Sequence, residues 1–367
     1  MDGPSAEASE LIRGRPGLAI IAPDRGGDGI AYVGRLLRRA LEDLCGAPPH
    51  VLSLDPARNG SVSAAERARF AWNLLRAEIG GDPSWWIFNH VGIARAQRLV
   101  PRAFRRPYAV FLNGIEVWTP HLSSDRLAVL EQARVRISIS HYTARRVRSV
   151  HPGIGPVEPC PLGLLSPEKV FGNPDERLLD AIQPASVLIV GRMSGAERYK
   201  GHDQLLECWN SVLKREPDAQ FVIVGGGDDL PRLRARAVSL GIEGQTLFTG
   251  FVDAATLAGI WKRAAVFAMP SEGEGFGLVY LEAMRASLPC IGSTTDAAGD
   301  IIQDGKTGFL VDRSSRDGLA AAIVRLLENR DLRTKLGLAG LRRFESEFTY
   351  GHYVDRLGAI LKSSFPY

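Results

Sequence analysis

The sequence predicts an α/β protein of two domains, each a parallel sheet with helices on both faces. Three observations carry this expectation. Short apolar runs alternate with stretches of helical composition along the chain, many of these runs end in glycine turns, and a proline- and glycine-rich segment, 151–167, interrupts the alternation near the middle. No helix can run through that segment, so it reads as the interdomain linker, with a boundary near Pro161. The chain has 367 residues and a mass of 39.9 kDa, which is enough for two cores. Hydrophobic residues make up 45% and charged residues 23%, the balance of a soluble globular protein. There is no apolar run of 18 residues and no basic-then-apolar leader at Met1–Glu7, so a cytoplasmic location is expected.

In the first half, Gly17–Ala22 reads as a strand, followed by the loop Pro23–Gly29 and a helix from Ile30 to about Leu44. A glycine loop at this place suits close approach to a phosphate, although G-x-G-x-x-G is absent and a simple tight turn fits equally. Val51–Leu54, Trp85–Asn89, Tyr108–Leu112 and Val135–Ile139 follow as strands. Helices are expected at 64–78, 124–134 and 142–150. Ligands in such sheets bind at the carboxyl ends of strands. His90, Asn113 and Glu116 fall there and are acceptor-side candidates, with helix capping the competing reading for His90. Trp85 and Trp86 read as core. Residues 1–162 hold 21 Arg and no Lys against 15 acidic residues, a local surplus of 6. That surplus is either a solvated face or a surface for anionic lipid or a diphosphate-bearing acceptor. Nucleic acid is not expected as a partner, because stacking aromatics are not interleaved with the arginines.

The second series starts at Ser186–Val190 and runs through Phe221–Val224, Thr246–Val252, Ala264–Met269 and Cys290–Ser293 to the turn and strand at 301–311. Helices are expected at 315–328, 331–344 and 350–361. Arg192 leaves a strand end and Lys200 opens the next helix, two cations suited to a diphosphate leaving group. After Pro270 the chain reads S-E-G-E-G-F-G-L-V-Y-L-E, a glycine turn entering a helix. Free backbone N–H groups at such a turn suit phosphate or sugar hydroxyls. Glu274 stands before the turn and Glu282 about one turn into the helix. Cys45, Cys160, Cys208 and Cys290 form no C-x-x-C pair and lie near no histidine cluster, so buried reduced thiols are expected rather than zinc or disulfides.

These residues resemble the retaining glycosyltransferases of family four. The likeness rests on V-G-R at 190–192, Y-K-G-H at 199–202, F-T-G-F-V at 248–252, P-S-E-G-E-G-F-G-L-V-Y-L-E-A-M at 270–284 and D-G-K-T-G-F-L-V at 304–311. The first half matches more loosely, through 26–29, 114–118 and 138–145. The resemblance implies the GT-B architecture, with two facing Rossmann-like domains, a deep cleft and a last helix crossing back to the N-terminal domain. Residues 1–161 with about 346–367 would form the acceptor-binding domain, and 162–345 the nucleotide-sugar-binding domain.

It further implies that Arg192 and Lys200 hold the diphosphate, that Glu274 contacts the transferred sugar and that Glu282 holds the ribose. Gly275, Phe276, Gly277 and Leu278 would line the donor at the turn, Val252 would lie against the base, and Gly27 and Gly29 would approach the donor from the other domain. Many relatives have histidine where this chain has Asn113, so no catalytic histidine is assigned there. No D-x-D motif occurs, which agrees with a metal-independent transferase that needs no cofactor beyond its GDP- or UDP-linked donor. The expected reaction is retaining transfer of a mannose- or glucose-type hexose to a glycan or lipid-linked acceptor at the inner face of the membrane, in surface or exopolysaccharide assembly. A non-catalytic nucleotide-sugar-binding homologue, or an epimerase or phosphorylase on the same architecture, is the alternative.

Overall fold

The computed structural model describes residues 12, 14–21, 29–55, 62–166 and 172–366. It divides into two compact units, one of Met1–Leu165 with Thr349–Tyr367 and the other of Ser166–Phe348. Each is built on a six-stranded sheet whose ladder pairs are parallel.

The first unit contains β1 (Pro16–Ile21), β2 (His50–Leu54), β3 (Trp85–Phe88), β4 (Tyr108–Leu112), β5 (Val135–Ser138) and β6 (Val157–Pro159), in the order β2-β1-β3-β4-β5-β6. Strands β3 and β4 are buried along their whole length, as continuous apolar runs in a sheet covered on both faces should be. Trp86, Phe88 and Phe111 are fully buried, and each contributes roughly 1.5–3 kcal/mol relative to an exposed ring. The chain reverses its direction of sheet growth between β1 and β3, and the carboxyl ends of these two strands mark the switch point.

Here one expectation needs correcting. The segment 151–167 is not only a linker, because Val157–Pro159 adds an edge strand to β5 with Ser138 opposite Pro159. Proline lacks the N–H a central strand must donate, but an edge strand needs only one ladder side, so proline is tolerated there. The final helix, Tyr350–Ser364, packs on the helix Gly29–Cys45. Tyr350 donates to Asp43 (2.5 Å), and a Cβ on Gly358 would stand 2.9 Å from Leu44. Arg356 also donates to the carbonyl of Pro161 (2.8 Å), and Phe365 stacks on Trp85 with ring centroids 4.6 Å apart.

The second unit contains β7 (Ser186–Val190), β8 (Gln220–Val224), β9 (Thr246–Gly250), β10 (Val266–Ala268), β11 (Cys290–Ser293) and β12 (Gly308–Val311), in the order β12-β11-β10-β7-β8-β9. This is the doubly wound Rossmann order, with its switch point between β7 and β10. Helices Leu230–Ser239 and Ala254–Arg263, which had no clear signal in the sequence, complete the alternation. Asp253 caps the second of these by accepting from the N–H of Thr256 (2.7 Å). The cysteines are free, with Cys160, Cys208 and Cys290 buried and Cys45 half-buried.

Candidate functional site

The site in the second unit is assembled at its switch point, where β7 ends in Gly191–Arg192 and β10 ends in Met269–Pro270–Ser271. Two loops are laced together there. The N–H of Glu272 donates to the carbonyl of Tyr199 (3.0 Å), and Gly201, at φ +97°, lies so close to Pro270 that a Cβ would meet it at 2.8 Å. Only glycine meets both demands, the left-handed backbone and the close approach. Lys200 does not open the helix as expected. It closes the short 3₁₀ turn Arg198–Lys200, and the helix begins at His202.

The lysine stem runs over Gly191, whose hypothetical Cβ would be 3.3 Å from the Lys200 Cδ, and its ammonium pairs with Glu274 at 3.4 Å. Lys200 and the glycine turn, 74 residues apart in sequence, are thus brought together beside the strand that Arg192 leaves. The Arg192 guanidinium makes a two-point contact with Glu197 (2.5 and 3.2 Å), a partner not expected from the spacing. It is half exposed, with the pair at the surface end of the site.

The turn itself is closely defined. Gly277, at φ +96°, caps the helix Leu278–Arg285, and a Cβ there would strike the Tyr280 ring at 2.5 Å. Gly275, Phe276 and Gly277 are buried, with the Phe276 ring against Phe348, while Leu278 begins the helix half-buried. Tyr280 donates to the carbonyl of Met269 (2.5 Å) and so anchors the helix to the end of β10. Glu282 is half-buried one turn further on. Burial raises its pKa above the usual carboxylate range, with Arg285 opposing the rise. Val252 lies two residues beyond β9, behind Phe251, which is 80% exposed.

Two residues with no sequence signal of their own support this turn. Ser271 is fully buried and donates its hydroxyl to Asp296, which is also buried and accepts from the N–H of Ala298 (2.9 Å). Burial pushes the Asp296 carboxyl up to about 7, against the hydrogen bonds from Ser271 and Ala298, while the nearby charge of Glu274 adds to the rise. The only hint in the sequence was position, since Asp296 follows the end of β11.

In the first unit the strand-end candidates are held by hydrogen bonds to backbone groups. His90 is the N-cap of the short helix Val91–Ala94, its Nδ1 accepting from the N–H of Gly92 (2.9 Å), which places the proton of the neutral ring on Nε2. Burial lowers its pKa, with Glu116 opposing. Asn89, fully buried and passed over in the sequence, accepts from the N–H of Ile21 through Oδ1 (3.0 Å) and ties β1 to β3 at the switch point. The Asn113 side chain donates to the Asn89 carbonyl (2.9 Å), and Glu116 accepts from the N–H of Asn113 (2.6 Å). His90, Asn113 and Glu116 therefore form one neighbourhood. Gly27 lies outside the described residues, and Gly29 is the exposed first residue of its helix, where a Cβ would meet nothing.

Two units, each built on a parallel six-stranded sheet with its switch point beside the first strand, give the chain the GT-B fold. Residues 181–343, under half of the chain, match the model of the family described as glycosyl transferases group 1. It is 35% identical over 170 residues to a GDP-mannose-dependent alpha-(1-6)-phosphatidylinositol monomannoside mannosyltransferase of Mycobacterium tuberculosis, a match covering 44% of each chain. Against a protein of the same description from Mycolicibacterium smegmatis it is 29% identical over 267 residues, 70% of each. The chain thus spans under half the length of the first of these relatives. Among solved structures, sucrose-phosphate synthase from Thermosynechococcus elongatus aligns with a TM-score of 0.78 at 21% identity, covering 96% of this chain and 99% of that one. HepE of Anabaena, in complex with UDP, aligns at 0.71 and 17%, covering 95% and 100%. These two likenesses show the fold.

Proposed function

We propose that the protein is a retaining hexosyltransferase that moves a mannose- or glucose-type sugar from a GDP- or UDP-linked donor to a glycan or lipid-linked acceptor, forming an α-glycosidic bond. The observation that carries this reading is the Lys200–Glu274 pair at the β7/β10 switch point, a cation and an acid held beside a glycine turn that leads into a helix. In this reading Lys200 and Arg192 hold the diphosphate and stabilise the charge that grows as it leaves. Glu274 orients the sugar, and Gly275, Phe276, Gly277 and Leu278 present backbone N–H groups to its hydroxyls and to phosphate. Glu282 holds the ribose hydroxyls, Val252 lies along the base, and Gly27 and Gly29 are donor contacts of the first unit. The acceptor hydroxyl attacks from the face the diphosphate leaves, and the departing phosphate takes its proton. No protein nucleophile and no metal ion is assigned a step.

The first unit is assigned the acceptor, with His90, Asn113 and Glu116 as its strand-end contacts. The mannosyltransferase relatives act on phosphatidylinositol monomannosides by their description, which favours a lipid-linked acceptor here. No helix among the described residues is long and apolar enough to cross a membrane. The outer face of the helix Ala64–Gly80 instead exposes Trp72 (59%) and Ile79 (54%) beside the exposed Arg69 and Arg76, a composition suited to an anionic bilayer surface. We therefore place the protein at the inner membrane face, in surface or exopolysaccharide assembly. Release of nucleotide from GDP-mannose, UDP-glucose and related donors tests the catalytic reading. Turnover of at least one donor is expected, and neither turnover nor stabilisation by any of them overturns it.

A further inference from the structure

We propose that Asp296 is a positioning residue for the sugar-handling turn 271–277, holding its first residue and its acid against the exit of β11. The inference rests on the transferase reading above for its catalytic consequence, but its geometry stands alone. Asp296 is 3% exposed and Ser271 is fully buried, and the hydroxyl of Ser271 donates to Asp296 Oδ2. Oδ1 accepts from the N–H of Ala298 (2.9 Å). The N–H of the next residue, Ala297, donates in turn to the carbonyl of Glu274 (3.3 Å). Asp296 thereby ties the first residue after Pro270 to the start of the helix Ala298–Ile301, and the residue that follows it holds the acid of the turn.

A carboxyl is suited to this because both of its oxygens accept, whereas a carboxamide offers one accepting oxygen. Yet a carboxyl this buried is costly unless its hydrogen bonds are used, and no cation among the described residues is recorded in an ion pair with it. The charge of Glu274 acts on it instead, and the Tyr280 hydroxyl is occupied by the carbonyl of Met269. The arrangement gives Glu274 two kinds of restraint. Its carboxylate meets Lys200 at 3.4 Å, while its backbone meets the Asp296–Ala297 corner. When a diphosphate takes the ammonium of Lys200, the first restraint weakens. The second does not involve Lys200, so the turn keeps its shape while Glu274 is released to the sugar.

The test uses hydrogen exchange on the whole, ligand-free chain, followed by kinetics. Asp296→Asn and Ser271→Ala should each speed amide exchange in peptides spanning 271–277 by about 10-fold, with exchange in the helix Tyr350–Ser364 unchanged. With GDP-mannose or UDP-glucose, kcat should fall by about 10-fold or more while the Kd for GDP and UDP stays within about 2-fold, because the turn is disturbed and the diphosphate cations are not. Unchanged exchange in both variants overturns the proposal, as does faster exchange with wild-type kcat. If Asp296→Asn fails to fold, Ser271→Ala decides alone on the same two readings. A wild-type chain that turns over no donor defeats the transferase reading, and the exchange measurement still judges the anchor.

Discussion

The two units share a parallel six-stranded sheet with a switch point beside the first strand, yet they furnish that point in opposite ways. In the second unit, β7 and β10 end in charged groups that face each other, Lys200 with Glu274, and Arg192 with Glu197 close by. In the first, the strand ends carry a buried asparagine, a capping histidine and an amide-to-carbonyl contact, with Glu116 beside them and no cation paired to it among the described residues. Parallel sheets with a switch point beside the first strand can therefore be furnished for different ligands by their strand-end loops. Cations at a strand end suit a group that gains negative charge during reaction, whereas neutral donors and acceptors suit hydroxyls that must be oriented.

Substitutions sharpen or break this contrast, and the largest effect is expected at the cation pair. Lys200→Ala should lower kcat by roughly 10²–10³, the range for losing one preorganised group that meets developing charge. Arg192→Ala should cost less, roughly 10-fold, because it is half exposed and shares its charge with Glu197. Steady-state kinetics on the two variants checks the order, and equal, small losses would show that the charged switch point is not where the diphosphate reacts. Next in size, Glu282→Gln should raise donor KM by about 10-fold with little change in kcat, as expected for uniform binding of the ribose. A fall in kcat alone would place Glu282 on the reacting sugar instead.

Stability against pH separates the units further. Asp296 titrates near 7 when folded, well above the ordinary aspartate value of 3.8. The folded state thus binds its proton more tightly than the unfolded state. Stability from this group is highest at low pH, falls as pH rises from about 4 towards 7, and is flat above that. Between pH 5.5 and 8 the wild type should lose about 2 kcal/mol from this source, and Asp296→Asn should flatten that loss. Urea denaturation at the two pH values measures it. An unchanged slope in the variant would mean that the carboxyl is not buried as described.

The smallest effects are expected in the first unit. His90→Ala should cost about 1 kcal/mol through loss of the helix cap, and His90→Asn should restore it. A large loss of turnover in the Asn variant, with stability kept, would give His90 a role beyond capping. Trp72→Ala should weaken sedimentation with phosphatidylglycerol vesicles without touching donor turnover.

Much of this was legible in advance. The strands β4, β7 and β11 fall at the expected residues, because each is a compact apolar run bounded by turn formers and completely or largely buried. The glycine turn at 275–277 was equally visible, since Gly277 is needed both for backbone shape and for packing against Tyr280. Helices at 230–239 and 254–263 were not, because their apolar faces are short and mixed with arginine or small residues. The edge strand β6 was hidden by Pro159 and by Pro156 just before it. Glu197 as the partner of Arg192, and Ser271 with Asp296, were beyond reach for a different reason. They act through contacts across 5 and 25 residues that no periodicity encodes. The 3₁₀ turn before His202 likewise depends on Gly201 fitting against Pro270, a tertiary demand on a local choice.

The central claim is that the charged switch point of the second unit holds a nucleoside diphosphate. Calorimetric titration of GDP and of UDP into the wild type and into the Arg192→Ala/Lys200→Ala double variant tests it most directly. The account predicts saturable binding of at least one nucleotide by the wild type and a loss of about 10-fold or more in the variant. Equal affinity in the two proteins, or binding of neither nucleotide by a folded wild type, would contradict it.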